Sequence, residues 1–210
     1  MEDCGHSSKT LSRSQRRRRD DIVQAALKVF ERQGFEAAKM VEIAEEAGVA
    51  KGTLYLYFEN KSALLEGVIE TAILPTLQQI GEAAQTHTGS ARDLLAHQTR
   101  IAAARMASPE MKMLLRHMIS GGAQHQKIIS FYYENVVQKG LELIGRTLRE
   151  GVESGEFKRE AASIDPLILV GAHVYAAVWH NLFENQSPLD MERLVEDHLK
   201  LILNGLIVHR

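Results

Sequence analysis

A chain of 210 residues with 45% hydrophobic and 25% charged residues has room for one large helical body, or for a small domain joined to a larger one. Its composition is neither that of a disordered segment nor that of a fibrous repeat. The single cysteine, Cys4, lies in a polar leader without a partner in the chain, which excludes a disulfide framework and fits a reducing compartment. No apolar signal segment follows the start. The longest apolar stretch, Leu167 to Trp179, is shorter than the roughly 18 residues of a spanning helix, so the expected location is the cytoplasm and no membrane partner is expected.

The net charge of -2 is unevenly distributed. Residues 1–19 carry six basic side chains (Lys9, Arg13, Arg16, Arg17, Arg18, Arg19) against Glu2 and Asp3, a balance of +4 that leaves the remainder at -6. A basic, flexible arm over residues 1–19 on an acidic body predicts local phosphate contact rather than general adhesion to polyanions; the alternative is a solvated leader with no partner.

Apolar residues recur at helical spacing nearly throughout, without strand-like alternation, so the fold class is all-α. A first helix is expected from about Arg16 to Gln33, with Ile22, Val23, Ala26, Leu27 and Phe30 on one face and Gly34 as its stop. A short helix from Met40 to Ala47 follows, then a turn at Gly48, then a second short helix from Lys51 that sends Leu54 and Phe58 inward. Asn60 is placed to cap a long helix from Lys61 to about Gln85, kinked by Pro75, which lacks a backbone donor. Ser90 with Asp93 predicts a helix start and an end near Ala107, and Ser108-Pro109 starts another helix that ends at Gly121-Gly122. From Ala123 to Ser154 a long helix is expected to bend at Gly140, Gly145 or Gly151. Asp165-Pro166 and Ser187-Pro188 open the last two helices, to Glu184 and Ile207 respectively.

The order short helix, glycine turn, short helix over Met40 to Phe58 is that of a DNA-binding helix-turn-helix, although many helical proteins share it. On the second helix Lys51, Thr53, Tyr55 and Tyr57 are polar or amphipathic, suited to bases and phosphates, and Gly52 suits a close backbone approach to a duplex. The residues Ile43-Ala44, Ala47-Gly48-Val49, Gly52-Thr53-Leu54-Tyr55, Tyr57-Phe58 and Lys61 resemble the TetR family of transcriptional regulators. The resemblance extends over about Asp21 to Leu65.

This resemblance implies double-stranded DNA as a partner, with Lys51, Thr53 and Tyr55 in or beside the major groove and Tyr57 and Lys61 on phosphate. Arg16, Arg17, Arg18 and Arg19 would enter a minor groove or follow the backbone. Two positions depart from the family pattern: Ala38-Lys39 stand where threonine or serine is common, and Ala50 where serine is, so both short helices lose a side-chain cap of typically ~1 kcal/mol. Lys39 would then replace a hydroxyl contact to phosphate with a charged one.

The expected organisation is an arm (1–19), a three-helix DNA-binding head (20–65) and a larger C-terminal helical bundle for ligand binding and dimerisation (66–210). The helix from Pro166 is apolar on most sides and needs more cover than one neighbour supplies. By resemblance it forms a homodimer interface with the last helix, for which Val174, Val178, Leu182, Leu199, Ile202 and Leu206 are the expected residues. The resemblance also implies an unidentified small-molecule inducer, with Met113, His117, Phe131 and His173 as candidate pocket residues, although such a set is more often simply core and each histidine more often an ordinary buried or surface one. The expected function is a ligand-released repressor acting as a homodimer on a palindromic operator. No catalytic or metal constellation and no cofactor are expected, since no nucleophile elbow, i/i+4 histidine pair or phosphate-cradling glycine loop is found. The other reading is a helical protein–protein adaptor that does not bind DNA.

Overall fold

The computed structural model describes residues 12–121 and 126–208. Residues 1–11, with Cys4 and Lys9, as well as Gly122 and the expected helix start at Ala123, lie outside the described residues. The chain divides into two compact units, with the boundary between Val68 and Ile69.

The first unit contains α1 (Arg13–Ala37), α2 (Met40–Glu46), α3 (Lys51–Tyr57) and α4 (Lys61–Val68). Helix α1 starts earlier than expected because Ser12 caps it: its hydroxyl accepts from Gln15 N at 3.3 Å and the Gln15 side chain returns the bond to Ser12 N at 2.8 Å. Arg16, Arg17, Arg18 and Arg19 are therefore helical, and the flexible arm is corrected over Arg13–Arg19. Gly34 breaks the helix at φ 81° and Gly48 turns the chain at φ 63°, both in the region that favours glycine. Ile22, Val23, Phe30, Ile43, Leu54, Phe58, Leu64 and Leu65 form the core of this unit. Asn60 Oδ1 accepts from Ala63 N at 2.9 Å, the cap expected for α4.

The second unit contains α5 (Leu74–Thr86), α6 (Ala91–Met106), α7 (Pro109–Gly121), α8 (Gln126–Tyr132), α9 (Gln138–Glu153), α10 (Pro166–Phe183) and α11 (Met191–Leu206). Residues Ile69–Ile73, just before Pro75, form a π-helical segment, so the expected proline kink is taken up as a widened turn that needs one donor fewer. A second π segment, Tyr133–Val137, joins α8 to α9, an irregularity the glycines of α9 did not mark. The α9 glycines serve packing instead: a Cβ on Gly151 would lie 2.2 Å from the Phe157 ring, and one on Gly145 3.3 Å from Pro166.

Helix α9 packs on α5, α6 and α10, while α6 also packs on α11. Leu95, Ile144, Leu148, Phe157, Leu169, Leu199 and Leu203 close this core. Arg100 clamps α6 to α11 through two bonds to Glu196, at 2.8 and 3.1 Å. The cap of α11 is Asp190, which accepts from Arg193 N at 3.0 Å, so the helix starts at Met191 rather than beside Ser187. A short 3-10 segment (Arg159–Ser163) and one antiparallel bridge, Phe157 to Ile207, were not expected from the all-helical periodicity.

Candidate nucleic-acid interface

Helices α2 and α3 meet at the Gly48 turn, and α3 is held by its one fully buried residue, Leu54, with Phe58 at its C-cap. At about 100° per residue, the side opposite Leu54 faces away from the core. Gly52 and Leu56 are exposed on that side and Lys51 and Tyr55 are exposed beside it, while Thr53 and Tyr57 are half-buried. The Lys51 ammonium lies 5.9 Å from the centre of the Tyr55 ring, so the two form one cationic-aromatic edge. Gly52 has nothing within 4 Å of where a Cβ would stand, which leaves its backbone open to an approaching molecule.

The two missing hydroxyl caps have different outcomes. At α2 the Glu42 carboxylate accepts from Lys39 N at 3.0 Å and from Gln33 Nε2 at 2.7 Å, supplying one half of a capping box from the far side. The bond from Lys39 N, followed by that from Gln33, holds the Glu42 carboxyl below its ordinary pKa. At α3 no side chain caps Ala50. Lys39, the N-cap residue of α2, is itself exposed.

Arg16, Arg17 and Arg18 are exposed along the first turns of α1. Arg19 is half-buried, its guanidinium 5.2 Å from the centre of the Phe58 ring, and so braces the end of α3. Lys61 is also more structural than expected. Its ammonium donates to Phe35 O at 2.7 Å and Glu36 O at 2.9 Å and lies 4.8 Å from the Phe35 ring centre, closing the end of α1. Desolvation lowers its pKa against the opposing pull of Glu36. With two of its three donors used on carbonyls, one remains for an outside anion.

Leu56 was missed. Sequence reasoning followed the polar residues of α3, yet Leu56 is 86% exposed. The signal was present in the helical period, which sets Leu56 about 160° from the buried Leu54.

In the second unit, Met113, His117 and His173 are buried and Phe131 is half-buried. Helices α7 and α10, which carry His117 and His173, pack together. The His173 ring meets that of His198 edge-on at 5.1 Å, and desolvation, followed by the charge of His198, lowers the His173 pKa to about 4. An open groove of about 350 Å³ lies elsewhere, between Arg100, Ala103 and Ala104 of α6 and Met191, Val195 and Glu196 of α11; none of the four expected ligand residues lines it.

The expected dimer residues divide. Val174 and Leu182 are exposed and Val178 is half-buried, on an α10 face that also exposes Leu167, Ile168, Tyr175 and Phe183. Leu199 and Leu206 are only 2% and 3% exposed, with Ile202 packed against the same core, so Leu199 and Leu206 are corrected from interface to interior. The side of α11 that carries Leu201 is the one left open. By length and composition alone α10 could cross a membrane, with 18 residues at mean hydropathy 1.3, of which 22% are buried.

Residues 22–68 match the family described as bacterial regulatory proteins, tetR family, and residues 85–197 match a tetracyclin repressor-like C-terminal domain. The HTH-type transcriptional regulator YfiR of Bacillus subtilis is 25% identical over 95% of this chain and 98% of its own. Among solved structures, FadR of Bacillus subtilis in complex with stearoyl-CoA has a TM-score of 0.69 at 21% identity, covering 90% of this chain and 99% of that one. A transcriptional regulator of Saccharomonospora viridis in complex with choline has a TM-score of 0.77 at 16% identity, covering 93% and 100%. With both halves of the chain matched, this protein belongs to the TetR family, a transcriptional regulator rather than an enzyme, and α2 and α3 form its DNA-binding helix-turn-helix.

Proposed function

We propose that this regulator is a homodimeric repressor of a palindromic operator, released when a small molecule binds its C-terminal unit. The exposed apolar face of α10 carries the reading. Leu167, Ile168, Tyr175, Leu182 and Phe183 stand in water on a single helix, and the rings of Tyr175, Trp179 and Phe183 meet in sequence at a tilt, with centres 5.9 and 4.9 Å apart. An ordered apolar face of this kind asks for cover by an isologous partner, since each copy offers the same surface. Val174, Val178 and Leu182, with Leu201 of α11, form that surface in place of Leu199 and Leu206.

A dimer presents two α3 helices to two half-sites, about 34–36 Å apart if they lie one turn of duplex apart. Lys51, Gly52, Thr53 and Tyr55 approach the major groove; Tyr57, Lys39 and Arg16 to Arg18 lie along phosphates, and Arg19 and Lys61 brace the head with a residual pull on the backbone. Such a protein works where the genome is, in the bacterial cytoplasm. Relatives in complex with stearoyl-CoA and with choline support a small-molecule effector. Met113, His117, Phe131 and His173 are the candidate contacts, offering an apolar wall with two imidazoles, of which that of His173 is held uncharged by burial. Bound ligand changes the spacing of the two heads, so both half-sites can no longer be met together.

The test pairs selection from a random duplex pool with sedimentation of wild type and Leu182→Glu. A dimeric wild type that enriches an inverted repeat, and a folded monomeric variant that binds it at least tenfold more weakly, is the expected result. A monomeric wild type, or an enriched site without a repeat, would overturn the dimer reading. Release of the selected duplex by a ligand, without change in head spacing by spin-label distances, would overturn the spacing mechanism alone.

A further inference from the structure

We propose that Leu56 reads thymine, its side chain contacting a C5-methyl group in the major groove and thereby setting part of the operator sequence. This rests on α3 being the reading helix. Single exposed leucines are common on protein surfaces and ordinarily carry no message. Position distinguishes this one.

Leu56 is the most exposed of the large hydrophobic residues among the described residues, at 86%. It stands on the side of α3 away from the buried Leu54, one turn beyond Gly52, which has open space around its Cβ position. The adjoining edge carries Lys51 against the Tyr55 ring, so the apolar tip is flanked by groups suited to phosphates and base edges. A leucine can neither donate nor accept a hydrogen bond. Among the base edges of the major groove the thymine methyl is the apolar group, so a leucine exposed on the outer side of the reading helix selects for thymine by contact.

Once an operator has been selected from random duplex, each thymine is replaced singly by deoxyuridine, which removes only the methyl, and binding is measured for wild type and Leu56→Ala. The expected result is one thymine per half-site at which wild type binds the uracil duplex about fourfold more weakly, the value of one buried methyl. Leu56→Ala should bind thymine and uracil duplexes equally at that position while melting like wild type, since the side chain is exposed. Wild type indifferent to uracil at every position would overturn the proposal, as would an alanine variant that keeps the discrimination. Failure of the folded protein to enrich any duplex would overturn the reading head and this assignment with it, an outcome distinct from both.

Discussion

Replacing Gly151 by alanine sets two known effects against each other. In a helix interior alanine is worth up to ~1 kcal/mol over glycine, so propensity alone predicts a more stable protein. The new Cβ, however, would stand 2.2, 2.5 and 2.8 Å from Cδ2, Cε2 and Cγ of Phe157. Because Cγ is close to the main chain, rotating the ring tip away does not relieve the overlap. Nor is the main chain free to move: Phe157 N donates to Gly151 O at 2.8 Å, and Lys158 N to Leu206 O at 2.8 Å, tying the end of α9 to the end of α11. The ring is 2% exposed and belongs to the core. Overpacking of this kind costs about 1–3 kcal/mol, and an overlap this deep belongs in the upper half of that range. The expected net loss is then about 1–2 kcal/mol, or a fall of roughly 2–8 °C in Tm for a chain of this size. Urea denaturation of wild type, Gly151→Ala, Phe157→Leu and the double variant measures it. The double variant should be less destabilised than the sum of the singles, because the smaller side chain makes room for the methyl. A Gly151→Ala protein as stable as wild type, or an additive cycle, would refute the argument that the ring is fixed.

Gly52→Ala should instead stabilise the isolated protein by up to ~1 kcal/mol, since nothing lies within 4 Å of the new methyl, yet weaken operator binding at least tenfold; unchanged affinity in a binding titration would show that the duplex does not approach this backbone. His173 is held neutral with a pKa near 4, below its unfolded value of about 6.5, so its contribution to stability is complete above pH 6.5 and is lost as pH falls towards 4. Relative to His173→Leu, wild type should lose about 3 kcal/mol across that window in denaturant titrations; parallel pH profiles would mean that the imidazole is solvated.

Local chemistry carried much of the protein into its sequence. Gly34 and Gly48 take the backbone conformations that glycine favours, Asn60, Ser90 and Asp165 cap the helices they precede, and the Leu54 period orients α3. These features depend on residues a few positions apart, so a sequence contains all their partners. The π segments at Ile69–Ile73 and Tyr133–Val137 were not legible as such, because apolar recurrence every three to four residues does not distinguish one widened turn from an ordinary one. Nor was the role of Lys61 legible, because its ammonium caps carbonyls 25 and 26 positions away. Apolar periodicity marked Leu182 and Leu199 alike as residues seeking cover. Only the tertiary structure separated them, because Leu199 is buried in a core shared with Leu95 of α6 and Leu148 of α9, whereas Leu182 is left 61% exposed.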